Sequence, residues 1–498
     1  MNLELGFMSA KGFIAFLGLF HTAVASLAIG LAFMVTFAEL VGYRYRIRRH
    51  DLFAKRTQLF HVCIYNIGTI NAIGLVFALS GLFPQFWEQF FVHFHWVMIV
   101  EEFIFFLLAT TITFHYFFWD YVWGHKKLHL FLGALLTPLF FFQFYFINAV
   151  GSFMLTPGNF QEGTLSLSVG VLGWDRLGFF NPSFMMLQLH RVFANISYGG
   201  FFIAGWCGIR LYFHSADPVK KAYYEDNGRL SFYVAFMSFL ALPIVGFFYS
   251  AVLMRNADEA FWNLMMGRGD VVKAGIDLWW LKHLFVAAMV GGGLGYFSRK
   301  AAALASGERF SVPNALIYAV AVFYFIYYLC MGLIMTWAFF LWSLAFAVGG
   351  YLLSRHMVNY GKGSSRAPFL MMGLLSFGTV MLGGWSREAA RPRFDENRHS
   401  AYDKLYIPAE RQPYLMVDLQ PPELTDSPAG APVAVVAPPN AASLIAGRCV
   451  GCHDLQRVRN YRGDDWPKVV NTMVVYGTKL DEEEKRLVVE HLSAGLSF

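Results

Sequence analysis

Gly12-Phe-Ile-Ala-Phe-Leu-Gly-Leu-Phe-His21-Thr-Ala-Val-Ala-Ser-Leu-Ala-Ile-Gly30-Leu-Ala-Phe-Met-Val-Thr-Phe-Ala-Glu39-Leu-Val-Gly42 contains two ionisable residues, His21 and Glu39, in an otherwise unbroken apolar run. It is too long for the apolar core of a secretory signal and lacks a small-residue cleavage pattern, so no cleavable signal peptide is expected. A run of this length spans a bilayer as a helix. The composition around it agrees: 57% of residues are hydrophobic, 53 are phenylalanine and only 14% are charged. The chain therefore reads as a polytopic membrane protein embedded in a lipid bilayer. Its surplus of six positive charges is loop charge and not a nucleic-acid signal.

Apolar periodicity places ten membrane helices near residues 12–42, 60–83, 90–118, 128–150, 185–209, 230–254, 275–297, 312–333, 336–354 and 367–386. The eighth and ninth are separated on length alone, because 43 residues without a charge are about twice a bilayer span. Loops after odd-numbered helices hold 18 basic residues, among them Arg44, Arg49, Lys126 and Lys220; the N-terminal tail and the remaining loops hold five. By the positive-inside rule both termini face the outer side of a bacterial cytoplasmic membrane.

Beyond the last helix, Cys449-Val450-Gly451-Cys452-His453 has the spacing that attaches one covalent c-type haem. Cys449 and Cys452 would bond the porphyrin, His453 would bind the iron, and Met473 is the natural second axial ligand. A zinc half-site would need other cysteines, and Cys63, Cys207 and Cys330 all lie in apolar segments. With the acidic helical run 481–490, this end resembles a small class I cytochrome c domain. The expected fold is thus all-α, in three parts: a transmembrane bundle over 1–394, a Pro/Ala-rich linker over 395–440, and a cytochrome c domain over 441–498 on the outer side. Haem c is attached on that side in bacteria, so motif and loop charge agree.

Ionisable residues inside a span are costly and each is a functional candidate. His21, His190, His283 and the pair Glu388 and Arg391 are expected in the outer half of the membrane; Glu101 and Glu102 lie in mid-span. A single such histidine is often a hydrogen-bonded packing residue, but their convergence on the haem c side favours haem ligation. Imidazole and the Met289 thioether are both iron ligands. Buried carboxylates suit proton delivery, and arginine suits haem propionates or an anionic intermediate.

These residues carry a resemblance to subunit I of the cytochrome bd quinol oxidases. The shared features are His21 followed by Gly30-Leu31-Ala32-Phe33 and Glu39; Asn181-Pro182, seven residues, then His190; Val100-Glu101 and Trp119-Asp120; Met289-Val290-Gly291; and Gly384-Trp385 with Glu388 and Arg391. The resemblance implies that His21 binds a high-spin haem and His190 with Met289 a low-spin b-type haem. It also implies that Glu101 and Glu388 handle protons, that Arg391 steadies a propionate or oxygen intermediate, and that a second membrane subunit of the bd type is present; Glu102 is an extra catalytic candidate beside Glu101. Two or more b-type haems and a d-type haem belong to that reading. Several positions depart from the pattern. Ala287 stands where the family has arginine, and Ala109 where it has a second channel glutamate, with His115 as an extra polar residue. The loop after the sixth helix shrinks to about 255–274, and a hairpin is inserted before the last helix. His283 competes with Met289 as sixth ligand. The leading expectation is an oxidoreductase that passes electrons between membrane haems and haem c and reduces oxygen to water. The alternative is a quinone-to-cytochrome c electron-transfer subunit among other respiratory subunits. Quinol and soluble or membrane-bound cytochrome c are the redox partners implied.

Overall fold

In a computed structural model, the structure describes residues 10–84, 87, 90–91, 94–121, 125–153, 155–156, 179–257, 260–262, 272–273, 276–304, 337–360, 365–389, 441–445, 465–475 and 480–494. The long helices are α1 (Ala10–Arg44), α2 (Arg48–Leu82), α3 (His95–Phe117), α4 (Lys126–Phe153), α5 (Phe184–Phe213), α6 (Pro218–Asn256), α7 (Leu278–Leu304), α8 (Trp337–Tyr360) and α9 (Arg366–Ala389). Three shorter helices follow: α10 (Ala441–Leu444), α11 (Trp466–Val475) and α12 (Glu482–Ser493). Among the described residues the only strands are a two-residue antiparallel pair, Val272–Lys273 with Ile276–Asp277. Helices α1 to α6 and α9 are long and apolar enough to cross a membrane. Helices α7 and α8 pack on each other and α7 on α9, completing an all-α bundle.

The expected helices at 12–42, 90–118, 128–150, 185–209, 275–297, 336–354 and 367–386 correspond to α1, α3, α4, α5, α7, α8 and α9 to within a few residues at most ends. The expected helix 312–333 lies outside the described residues. Two helices begin 12 residues before the expected 60 and 230, at Arg48 and Pro218. Their first turns are rich in Arg, Lys, Asp and His and so read as loop. Phe53, Ala54, Thr57 and Gln58 nevertheless bury one face of α2 there. Asp217 starts α6 with Pro218 behind it, its carboxylate accepting from the amides of Val219 and Lys220, each at 3.0 Å. The Lys220 amide foremost holds that exposed carboxyl below the usual carboxylate range.

Two buried clusters make the core. One joins α1, α5, α6, α7 and α9 around Leu31, Phe201, Phe232, Phe236 and Phe369; the other joins α1 to α4 around Val97, Leu108, Phe140 and Phe153. The two meet at α1. Its register against α5 is set where backbones cross: a Cβ on Gly30 would lie 2.2 Å from the Asn195 carbonyl oxygen, and Gly199 sits against Gly30 in return. Only a residue without a side chain fits, which gives Gly30 of the Gly-Leu-Ala-Phe run a physical role. Gly30→Ala is expected to destabilise the bundle by about 1–3 kcal/mol through overpacking. Gly74→Ala, where no atom lies within 4 Å, is the matched control. Thermal unfolding in detergent, followed by tryptophan fluorescence, distinguishes them.

The C-terminal helices α10, α11 and α12 share a small core of Leu444, Ile445, Val470, Val488 and Leu492. Asp481 caps α12 in a capping box with Glu484, which fixes the start of the expected acidic helix.

Candidate functional site

The first site element is a level pair of histidines. His21 precedes Gly30 by nine residues on α1, and His190 precedes Gly199 by nine on α5. Each is therefore about 13 Å along its helix from the same crossing. Arg191, the residue after His190, also acts electrostatically on His21 of α1. Nδ1 of His21 is buried with no hydrogen-bond partner. His190 presents its ring to Gly246 of α6, where even an added Cβ would stay 3.9 Å from Nε2.

Local sequence fixes this height. Asn181 is buried between α4 and α5; its amide donates to Ser152 Oγ at 2.9 Å, and its carbonyl accepts from Thr156 Oγ1 at 3.1 Å. The Asn-Pro step thus ties the entry of α5 to the exit of α4, and His190 follows at a fixed rise. Arg191 donates to Asn148 Oδ1 at 2.7 Å and lies over the Phe144 ring. Asn148 in turn donates to Gln188. Sequence reading missed this network, although an arginine, a glutamine and an asparagine in spans were its signal.

The α7 candidates differ in setting. His283 donates from Nδ1 to the Trp279 carbonyl at 2.8 Å, an arrangement that orients the ring and leaves Nε2 as the acceptor nitrogen. Met289 is buried, and its sulfur accepts from Thr379 of α9 at 3.5 Å. Lys282, the residue before His283, also acts electrostatically on His190 of α5. A glycine again sets the packing, since a Cβ on Gly291 would collide with the Ala347 carbonyl of α8.

Glu101 turns inward and accepts from Gln143 Nε2 of α4 at 2.7 Å, whereas Glu102 is exposed on the outside of α3. Glu388 falls in the last turn of α9. Met473 falls on α11. Arg391, Cys449, Cys452 and His453 lie outside the described residues.

At the opposite end of α1 is a buried polar cluster. Glu39 Oε1 meets Lys126 Nζ and His129 Nδ1, both at 2.6 Å, and Lys126 also pairs with Asp51 at 2.5 Å. His129 Nε2 faces the His115 carbonyl at 3.0 Å, and the two imidazoles stack with centroids 4.1 Å apart. Glu39, His115 and His129 are all buried, and their donor atoms lie within 4.8 Å of one another, the spacing of a metal-capable group. The ammonium of Lys126 already occupies the carboxylate. Lys126 had read as loop charge; it is instead the first residue of α4, turned inward.

Comparison with known proteins bears on this bundle. The family model of the cytochrome bd terminal oxidase subunit I matches residues 10–261, half of the chain. The chain belongs to that family. The bd oxidase family consists of haem-containing oxidoreductases of the respiratory chain in the bacterial inner membrane, which bind b- and d-type haems and work with quinol and a second membrane subunit. The bd oxidase of Geobacillus thermodenitrificans has a similar fold, with a TM-score of 0.53 at 17% identity over 77% of this chain and 86% of that one. No curated protein shows a significant match.

Proposed function

We propose that this bd-family chain passes electrons between b-type haems in its bundle and a covalent haem c on its C-terminal segment, and reduces oxygen to water. The observation that carries the reading is the level pair His21 and His190, each nine residues before the Gly30–Gly199 crossing of α1 and α5. Imidazole is an axial ligand of haem iron. His21 would hold a high-spin haem, which in the oxidase is b- or d-type; His190 with Met289 or His283 would hold the low-spin haem. When bound, these haems supply one-electron transfer and an oxygen-binding iron.

The chain's own groups complete the site. Glu101, fixed by Gln143, and Glu388 hold protons, while exposed Glu102 faces lipid or a partner subunit. Arg191 supplies positive charge beside the histidine pair, and Arg391 a second guanidinium after α9. Residues 441–498 form the cytochrome c domain, with Cys449 and Cys452 as attachment points and His453 and Met473 as iron ligands. Residues 395–440 are its tether, and both termini face outward. Soluble or membrane-bound cytochrome c, or quinol, exchanges electrons there.

The test is a reduced-minus-oxidised spectrum with carbon monoxide, and oxygen uptake with reduced cytochrome c and separately with quinol. A carbon-monoxide-binding haem and uptake with at least one donor are expected. Their absence would leave the electron-transfer reading instead. For the sixth ligand, the Nδ1 donation of His283 to Trp279 favours His283. His283→Ala should convert the low-spin haem to high spin, whereas Met289→Ala should leave it low-spin; the reverse result assigns Met289.

A further inference from the structure

A cavity of about 610 Å³ opens between the first turns of α2, the last turns of α5 and the first turn of α6. Its walls change character with depth. Arg56, Arg210 and Lys220 line the part nearest the helix ends, and Phe60, Phe202 and Trp206 the part further in. Phe202 lies eight residues before Arg210, about 12 Å deeper along α5. Phe60 and Phe202 stack with centroids 5.8 Å apart, forming an aromatic floor.

Among the described residues no acidic side chain lines the cavity. Asp217, the adjacent acid, is 3.3 Å from Lys220 Nζ but spends one oxygen on the α6 cap. Arg56 lies over the Tyr223 ring, and Arg210 donates from Nε to Tyr224 Oη at 3.2 Å; neither pairs with a carboxylate among the described residues. His214 adds a buried Nε2 that has no hydrogen-bond partner. Three cations and an unused ring nitrogen above an aromatic floor, at the level where spanning helices leave the bilayer, match one chemistry. That chemistry is an anionic head group with acyl chains beneath it.

We infer that this groove is a binding site for one anionic phospholipid, with phosphate against Arg56, Arg210 and Lys220 and the first part of an acyl chain against Phe60 and Phe202. The inference is independent of the haem assignments. A protein partner in the same groove would need acidic groups at this height, and would exclude the lipid from the assembled complex.

The experiment uses the purified full-length protein with its partner subunits, delipidated and then exposed to mixed micelles of phosphatidylglycerol and phosphatidylcholine. Bound lipid is read by native mass spectrometry. One phosphatidylglycerol per chain is expected, preferred over phosphatidylcholine by roughly tenfold or more, with the preference falling about fivefold for each cation removed. R56Q/K220Q should therefore bring the two lipids close to parity while the haem spectrum stays unchanged. Lys220→Glu, at an exposed position, gives the same readout should the double variant not fold. Equal retention of both lipids by the unaltered complex, or an undiminished preference in these variants, overturns the proposal. So does inorganic phosphate raising the unfolding temperature as much as phosphatidylglycerol, which would make the groove a plain anion site.

Discussion

Lys126→Met is expected to cost about 3–5 kcal/mol of stability, because it strands carboxylates that are out of water. Glu39 is completely buried, Asp51 nearly so, and one ammonium serves both. Burying a charge is tolerable only when it is paired and hydrogen-bonded. Without Lys126, Glu39 would keep the His129 imidazole, and Asp51 would lose the one cation it pairs with among the described residues. Glu39→Gln should cost less, about 1–2 kcal/mol, since the amide oxygen can still accept from His129 while Lys126 keeps Asp51. Lys55→Ala is the contrasting case. Its partner Asp120 is largely exposed, and the loss should stay under about 1 kcal/mol despite a distance as short as 2.5 Å. Thermal unfolding of the three variants in detergent, followed by tryptophan fluorescence, should rank them in that order. A Lys126→Met protein as stable as Lys55→Ala would mean that the cluster is hydrated.

The bundle was legible in sequence because membrane helices advertise themselves through apolar length, and α1, α3, α4 and α5 begin and end close to where hydropathy places them. The starts of α2 and α6 were not legible. Their first turns extend beyond the bilayer with a charged exposed face, and only tertiary packing of Phe53, Ala54 and Gln58 reveals the buried one. Candidate haem ligands were recognisable as isolated polar residues in apolar runs. Sequence put them in one half of the membrane but not which helices pair, because that depends on Gly30 meeting Gly199, two positions 169 residues apart. The Glu39 cluster stayed hidden for a related reason. Lys126 and His129 sit at a helix start among other basic residues, where loop charge is the default reading, and their inward turn depends on carboxylates contributed by α1 and α2.

His190→Ala is expected to abolish the low-spin b-type signal altogether, the largest spectroscopic effect predicted for any single residue of the bundle. The ring sits on α5 at a height fixed twice, by the Asn181 anchor at the helix entry and by the Gly30–Gly199 crossing nine residues later. Neither constraint involves the imidazole itself, so the fold should survive its removal. The half-buried ring contributes modest packing beside Gly246 and Tyr249. Loss of the signal with an unchanged unfolding temperature in the haem-free protein would therefore mark ligation and not misfolding. Two companion variants separate position from chemistry. Arg191→Gln leaves both histidines in place but removes the guanidinium beside them, so the low-spin signal should persist with its potential shifted downward, as less positive charge stabilises the reduced haem less. Gly199→Ala leaves both ligands and Arg191 intact but presses a Cβ to within 2.6 Å of the Gly30 carbonyl carbon, so it should weaken haem retention at His21 and His190 together. An unchanged spectrum in His190→Ala would remove that ligand assignment. A Gly199→Ala protein that lost only one of the two haems would show that the crossing does not set both heights.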